Sequence, residues 1–134
     1  MRHRLLLDDI DAAGVAFAPR LAALAHQAVE RALAGGPLDF ARLLAEGRWA
    51  LPIVHLACDF HAPLRHGDEL DLSVGLVALG ERSARLRTEL RRDGALVATA
   101  EQVHACLDRA IGAASPWPEA LRAAWRALPA AQKS

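Results

Sequence analysis

The chain has 134 residues, which is enough for one domain with its own hydrophobic core, and we expect a single domain over residues 1–134. Lys and Arg together number 16, as do Asp and Glu, so the formal net charge is zero. This balance argues against nucleic acid as a partner, since domains that bind a duplex normally carry a basic excess. No apolar stretch is long enough to span a membrane, and the leucines after Arg4 are too few for a secretory signal. We therefore expect a cytoplasmic protein.

Cysteine and histidine side chains form no recognisable metal motif. Cys58 and Cys106 lie inside apolar runs typical of strands, which predicts buried free thiols and no disulfide framework. His61, His66 and His104 have no partners at metal-ligand spacing. The sequence therefore predicts neither a metal site nor a bound cofactor.

The first half of the chain predicts one short strand and two helices. Residues 3–8 form a short apolar run, a candidate first strand. Pro19 suits the first turn of a helix, and apolar residues then recur at helical spacing as far as Leu33. The Gly-Gly-Pro run at 35–37 ends this helix. A second, short helix is expected over residues 38–46.

The second half of the chain predicts strands. Residues 51–60 are apolar with β-branched members, which indicates a buried strand. Apolar and polar residues alternate over 69–76 and again over 83–91, the pattern of half-buried strands. Asp93-Gly94 is a strong hairpin turn, and it leads into a further strand at 96–107.

An amphipathic pattern over residues 116–127 predicts a short C-terminal helix. The order of elements predicts an α+β protein in which an antiparallel five-stranded sheet wraps around one long central helix, the arrangement of the hot-dog fold. We expect the last four strands to form an antiparallel meander. One long helix cannot cover both faces of such a sheet, so burial of the remaining apolar residues suggests a partner subunit.

The segment most informative about chemistry is residues 9–19, DIDAAGVAFAP. It sets the carboxylate of Asp11 in a tight turn just before a helix, and Gly14 lets the backbone turn sharply. The free amides of a first helical turn can bind a developing oxyanion, while a nearby carboxylate attacks an acyl carbon or activates water. The alternative is that Asp11 only closes or caps the turn, and that Gly14 serves the loop alone.

This segment resembles the signature D-x-D-x-x-G-x-V/I-x-[aromatic]-x-P of the 4-hydroxybenzoyl-CoA thioesterase family, in the hot-dog branch whose catalytic carboxylate lies on this loop. The resemblance covers most of residues 4–108. Further matching segments are 51–55 (LPIVH), 59–60 (DF), 62–63 (AP), 67–70 (GDEL) and 102–104 (QVH). The run 49–55 is most similar to the 1,4-dihydroxy-2-naphthoyl-CoA thioesterase branch.

The resemblance implies a thioester hydrolase that cleaves an acyl-CoA with an aromatic or bulky acyl group, of the 1,4-dihydroxy-2-naphthoyl-CoA or 4-hydroxybenzoyl-CoA type. It implies that Asp11 is the catalytic carboxylate, as nucleophile or general base. Gly14 would permit the turn, and the backbone amide of Ala18 would polarise the thioester carbonyl. The family often carries an aromatic side chain at the position of Ala18, and its loss here is expected to widen the acyl pocket.

The same resemblance implies substrate contacts for six residues: Phe17, Trp49, Leu51, His55, Arg82 and Ser83. Arg82 and Ser83 match positions near the CoA phosphates, where an arginine can pair bidentately, although a solvated strand face explains Arg82 equally well. His55 either touches the acyl group or is a satisfied core histidine, and Trp49 either packs in the core or forms a pocket wall. Leu51 replaces a threonine that hydrogen-bonds at the site in some relatives.

Two other functions fit the same fold. One is a thioesterase that acts on polyketide or polyene chains bound to a carrier protein. The other is a non-hydrolytic acyl-CoA-binding protein, against which the intact Asp11 and Gly14 argue. The family implies a homodimer or homotetramer, with CoA bound along the subunit interface. Glu30 is interpreted as a polar helix residue, because Asp11 already occupies the loop position.

Overall fold

One long helix and one antiparallel sheet make up most of the structure, a computed structural model that describes residues 1–131. The helices are α1 (Ala18–Leu33), α2 (Phe40–Glu46) and α3 (Glu119–Arg126). The strands are β1 (Arg2–Arg4), β2 (Trp49–Ala50), β3 (Ile53–Phe60), β4 (Glu69–Leu79), β5 (Ser83–Arg92), β6 (Ala95–Ala105), β7 (Leu107–Asp108) and β8 (Ala113–Ala114). The predicted α+β class, with its long helix, five-stranded sheet and short C-terminal helix, is confirmed.

The main sheet is antiparallel throughout, in the order β1-β4-β5-β6-β3. The predicted meander is correct for β4, β5 and β6 but wrong for β3, which pairs with β6 so that Phe60 lies opposite Ala98 and Ile53 opposite His104. The segment 61–68 is long enough to carry the chain away from β3, and β1 takes the free side of β4. Strands β1 and β3 are therefore the two edges of the sheet.

Helix α1 presents a stripe of apolar residues to the sheet. Its buried members recur at helical spacing: Leu21, Leu24, Ala25, Ala28, Val29 and Leu33. The first part of the stripe packs with Leu5 and Leu64, and the last part packs with Trp117 and Trp125. Each fully buried leucine stabilises the fold by about 1.5–3 kcal/mol relative to an exposed one. The predicted helix is confirmed, and it begins one residue earlier than expected, at Ala18.

The first predicted strand is shorter than residues 3–8. Only Arg2–Arg4 pairs with β4, and the chain then forms a single 3-10 turn at Leu7–Asp9. The reason is local, because the Asp9 carboxylate accepts the backbone N–H of Leu6 at 2.9 Å and so favours a turn over an extended chain.

Two predicted ends in the last part of the chain also differ. The strand predicted over 96–107 ends at Ala105, after which β7 pairs with β2 and β8 in a small second sheet. The helix predicted from residue 116 begins at Glu119, because Pro118 is its N-cap residue and Pro116 precedes it.

Strand β3 is exposed, although its apolar sequence predicts a buried strand. Four of its large apolar residues have substantial exposed fractions: Ile53 39%, Val54 63%, Leu56 47% and Phe60 46%. The reason is the edge position, since β6 alone pairs with β3 within the described residues. Cys58 on this strand is half-buried, whereas Cys106 is buried as predicted, and both thiols are free.

The outer face of the sheet carries paired charges. Arg85 and Arg87 both pair with Glu101 across β5 and β6, at 3.3 and 2.9 Å, and Arg91 pairs with Glu89 at 2.6 Å. The residues on this face are therefore charged and paired, and the partner subunit expected to bury the remaining apolar residues stays a prediction. Within the described residues, four large exposed apolar side chains lie along the β3 edge: Ile53, Val54, Leu56 and Phe60.

A buried polar network joins β6 to α1. The Gln102 amide nitrogen lies 2.7 Å from His104 Nε2 and 3.2 Å from His26 Nδ1, and His104 Nδ1 donates to the Leu51 carbonyl at 2.8 Å. Because a carbonyl only accepts, this last bond leaves His104 Nε2 as an acceptor for the Gln102 amide. Burial lowers the pKa of His104, so the folded protein favours the neutral ring.

The free energy of unfolding is expected to fall as the pH drops below 6.5, the ordinary pKa of a histidine such as His104 in the unfolded chain. The folded-state pKa is lower, so the unfolded chain takes up the proton first and is favoured in acid. One proton gives a slope of at most about 1.4 kcal/mol per pH unit. Urea unfolding from about pH 8 to about pH 5 measures this slope. The exposed control His66→Gln should keep the slope, and a folded His104→Gln protein with an unchanged slope would contradict the assignment.

Candidate active site

The loop of residues 10–16 is closed by its own backbone. The Asp11 N–H donates to the Val15 carbonyl at 2.9 Å, the Gly14 N–H donates to the Asp11 carbonyl at 3.0 Å, and Ile10 bridges to Ala16. Gly14 has a φ of 80°, in the left-handed region that glycine adopts without strain. A Cβ on Gly14 would meet no atom within 4 Å, so the backbone conformation, and not a lack of space, requires the glycine.

The Asp11 carboxylate is exposed and is held by one of its two oxygens. Oδ1 accepts the backbone N–H of Ala13 at 2.8 Å and that of Val15 at 3.4 Å. No residue in the described range 1–131 donates a hydrogen bond to Oδ2. The turn-closing role and the chemical role that the sequence leaves as alternatives are therefore compatible, because one oxygen fixes the side chain and the other is available.

The first turn of α1 leaves the backbone amide of Ala18 unbonded. Phe17 is the N-cap residue, with φ −76° and ψ 120°, and its side chain has no oxygen to cap the helix. Its carbonyl accepts the N–H groups of Arg20 and Leu21, and Pro19 has no N–H. Within residues 1–131 the Ala18 amide has no hydrogen-bond acceptor, so it is a free donor at the positive end of the helix.

A cleft of about 710 Å³ opens between the loop, the start of α1 and the segment that follows β3. It is lined by Asp11 and by residues 15–19 and 60–64. Among these lining residues, only Asp11 and His61 have ionisable side chains, and the remainder are apolar. Phe17 and Phe60 are both about half exposed and add two aromatic rings to the cleft. The cleft therefore combines a carboxylate and a free amide with surface suited to an apolar group.

The structure brings together four of the predicted site residues: Asp11, Gly14, Phe17 and Ala18. Three of them line the cleft, and Gly14 shapes the loop. Sequence reasoning misses the segment 60–64 as part of the site. The DF pair at 59–60 and the AP pair at 62–63 match the family spacing, but a sequence pattern does not reveal which loop lies opposite another. The Ala16 N–H donates to the Leu64 carbonyl at 2.6 Å, and this contact places the two segments side by side.

Three predicted substrate residues lie outside this cleft in the same chain. Trp49 is half-buried and packs against the core, with the Arg48 guanidinium 4.7 Å above its ring. Leu51 is buried in the core, and its carbonyl accepts the His104 Nδ1–H. His55 is exposed on the edge strand β3. Their contacts with a substrate stay predictions.

Arg82 and Ser83 lie at the opposite end of the sheet from the cleft. Ser83 pairs with Ala105 at the end of β6, whereas Phe60 pairs with Ala98, seven residues earlier on the same strand. At the rise of a β-strand this separation is roughly 23 Å. Arg82 is exposed beside this end, and its carbonyl accepts the backbone N–H of residue 106 at 3.0 Å. Their role at the CoA phosphates stays a prediction.

Two findings concern the whole described range, residues 1–131. No group of three or more His, Cys, Asp or Glu side chains is placed to hold a metal ion. No helix in the same range combines the length and apolarity that crossing a bilayer requires.

Comparison with known proteins places the chain among thioesterase-like proteins. The chain matches the thioesterase-like superfamily over residues 5–125. The 1,4-dihydroxy-2-naphthoyl-CoA hydrolase of Synechococcus elongatus is 35% identical over 115 residues, which are 85% of each chain. The solved structure of a 1,4-dihydroxy-2-naphthoyl-CoA thioesterase from Synechocystis has a TM-score of 0.85 at 26% identity and covers 96% of this chain and 95% of that one.

A second solved structure bears on the fold. A gentisyl-coenzyme A thioesterase has a TM-score of 0.82 at 24% identity, covering 93% of this chain and 98% of its own. These similarities confirm the hot-dog fold that the sequence predicts.

Proposed function

This chain belongs to the thioesterase-like superfamily, and we propose that it hydrolyses acyl-CoA thioesters whose acyl group is aromatic or otherwise bulky. The predicted family and the predicted class of enzyme, a thioester hydrolase, are confirmed by its relatives. The observation that carries the finer proposal is the cleft itself, where the Asp11 carboxylate and the free Ala18 amide lie in apolar surroundings. Substrates of the 1,4-dihydroxy-2-naphthoyl-CoA or 4-hydroxybenzoyl-CoA type suit these surroundings.

In the proposed reaction the Ala18 N–H donates to the carbonyl oxygen of the thioester. This donor stabilises the negative charge that develops there when the carbonyl carbon is attacked. Asp11 acts through Oδ2 in one of two ways. As nucleophile, it forms a mixed anhydride with the acyl group and expels the CoA thiolate, and water then hydrolyses the anhydride. As general base, it takes a proton from a water molecule whose oxygen attacks the carbonyl carbon. The C–S bond then breaks, and the CoA thiolate leaves and takes up the proton from Asp11.

The acyl group is proposed to lie against Phe17 and Phe60. Aromatic rings stack or pack edge to face with a planar acyl group, which favours aryl substrates over short aliphatic ones. Ala16 and Ala18 add little bulk, so the cleft retains room for more than one ring. The named activity of the relatives, on 1,4-dihydroxy-2-naphthoyl-CoA, supports an aryl group of this size.

The complete site is proposed to form between two copies of the chain. Within one copy, the cleft and Arg82 lie at opposite ends of the sheet. A CoA molecule bound to a single subunit would have to extend along the whole sheet to contact both. Antiparallel pairing of two β3 edges would bring the Arg82 and Ser83 end of the second copy toward the first cleft. The exposed apolar residues of β3 support such pairing, as a homodimer or as the dimer within a tetramer.

The free thiols of Cys58 and Cys106 suit the reducing cytoplasm, where we place the protein.

Asp11→Asn is expected to abolish release of CoA thiol from aryl-CoA esters, with a loss of at least about 10²-fold in kcat. An asparagine oxygen can still accept the Ala13 N–H, so the loop should survive while the charge is lost. The matched control is Asp8→Asn, which removes an exposed carboxylate from the neighbouring turn. Full activity in Asp11→Asn would refute the role of Asp11.

The carrier-protein alternative is tested by measuring turnover of the same acyl group on a carrier protein and on CoA. Faster turnover of the CoA ester supports the proposed substrate, and faster turnover of the carrier-bound thioester supports the alternative.

Ala18→Pro is expected to lower kcat by about 10²–10³-fold, because it removes the main-chain N–H proposed to donate to the carbonyl oxygen. Proline is tolerated at the first helical position, and the extended Phe17 before it suits a following proline. Ala18→Gly keeps the amide and should keep most of the activity. If the proline and glycine variants were equally active, the oxyanion role of this amide would be excluded.

Val54→Asp is expected to dissociate the dimer and to reduce activity together with it, because it places a charge in the proposed β3 contact. Mass measured by light scattering over a protein dilution series reports the subunit state. The control is Leu44→Asp, which adds the same charge at an exposed position on α2. A Val54→Asp protein of unchanged mass would show that the subunits associate elsewhere or not at all.

A further inference from the structure

We infer that Asp9 is a positioning residue, whose buried carboxylate fixes the helix start that carries the Ala18 amide against the loop that carries Asp11. The inference rests on the proposed function, since it concerns the geometry of the same reaction. The sequence pattern assigns Asp9 no role of its own, because it shows only an acidic residue at the start of the signature.

The Asp9 side chain is 1% exposed and meets three donors. Its Oδ1 accepts the Arg20 Nε–H at 2.7 Å, and its Oδ2 accepts the Leu6 backbone N–H at 2.9 Å. His3 Nε2 lies 2.9 Å from the same Oδ2. An isolated buried carboxylate would be strongly unfavourable, and these three partners offset that cost. They belong to three separate parts of the chain: β1, the approach to the 3-10 turn and the first turn of α1.

The Asp9 main chain closes the base of the loop. Its carbonyl accepts the Phe17 N–H at 2.8 Å, directly across residues 10–16. Above this contact, the bridge between Ile10 and Ala16 continues the closure. Asp11 therefore lies on a loop whose ends are joined by the hydrogen bond between Asp9 and Phe17. Ala18 directly follows Phe17.

One residue thus ties the loop to the helix in two ways. The carbonyl of Asp9 sets where the chain enters α1, and the carboxylate holds the third residue of that helix, Arg20. Loss of the carboxylate would leave the helix start free to shift relative to Asp11. A misplacement of about 1 Å between reacting groups costs on the order of 10²-fold in rate.

A change in the protonation state of Asp9 does not explain the proposed effect of this residue on catalysis at ordinary pH. Burial alone would raise the pKa of this carboxyl, but the hydrogen bonds from Arg20, Leu6 and His3 outweigh it and hold the pKa at about 2. The carboxylate is therefore charged wherever the enzyme is assayed. Its geometry, and not its protonation, is the quantity that a substitution changes.

The test compares Asp9→Asn, Arg20→Met and Arg20→Lys with the native chain in an aryl-CoA assay. Asp9→Asn and Arg20→Met should lower kcat by about 10–100-fold and leave KM within a few-fold, because positioning acts on the reacting groups. Arg20→Lys should retain most of the activity, since an ammonium group still donates to Oδ1. The matched control is Arg42→Met, which breaks the exposed pair with Glu46 on α2 and should leave kcat unchanged.

A merely stabilising role would lower the melting temperature without a loss of kcat in the folded protein, and that result would overturn the inference. If Asp9→Asn does not fold, the Arg20 variants decide the outcome by the same criterion. An inactive native chain would instead refute the proposed function and leave the fold of this cluster untouched.

A double-mutant comparison gives a second readout. If Asp9 acts by placing the Ala18 amide, adding Asp9→Asn to Ala18→Pro should cost clearly less than Asp9→Asn costs in the native chain. Fully multiplicative losses would mean that Asp9 acts independently of that amide, and would overturn the inference in this form.

Discussion

The unfinished hydrogen bonding at the first turn of α1 is the constraint on which the site depends. Every helix leaves its first backbone N–H groups without partners inside the helix. Phe17 offers no oxygen to cap them and Pro19 contributes no N–H, so the Ala18 amide remains a donor at the positive end of the helix. The closed loop brings the Asp11 carboxylate to the same cleft. In apolar surroundings both groups interact with a polar bond more strongly than they would in water.

This arrangement requires the helix and the loop to keep a constant separation. The apolar stripe of α1 holds the helix against the sheet, and the Asp9 carboxylate ties its first turn to β1 and to the base of the loop. Gly14 then allows the loop to close with a left-handed residue, which leaves one oxygen of Asp11 bonded and the other without a donor in residues 1–131. Apolar packing therefore sets the position of α1 on the sheet, and the buried Asp9 carboxylate sets the position of its first turn relative to the loop.

The two faces and the β3 edge of the sheet have different chemical characters. The inner face is buried under α1, and the outer face carries paired charges. The β3 edge exposes apolar side chains, and within residues 1–131 no second strand pairs with it. An exposed apolar edge is a surface to which another strand readily adds. The antiparallel register also separates the cleft near Phe60 from Arg82, since the two lie at opposite ends of β6. These two features are the support for the proposed site between two subunits.

The sequence by itself determined the local features: the apolar stripe of α1, the alternating strands β4 and β5, and the turn at Asp11 and Gly14. Helical and strand periodicity and glycine conformation depend on near neighbours, so they are visible in one sequence. The resemblance to the family signature added Ala18 to the candidate site residues, because the signature includes the helix start at a set spacing after the turn. The predicted burial of β3 was wrong, since an apolar edge strand and an apolar central strand have the same composition. Only the tertiary structure decided that β3 pairs with β6, that segment 60–64 faces Asp11, and that Asp9 joins loop to helix, because each depends on contacts between distant segments.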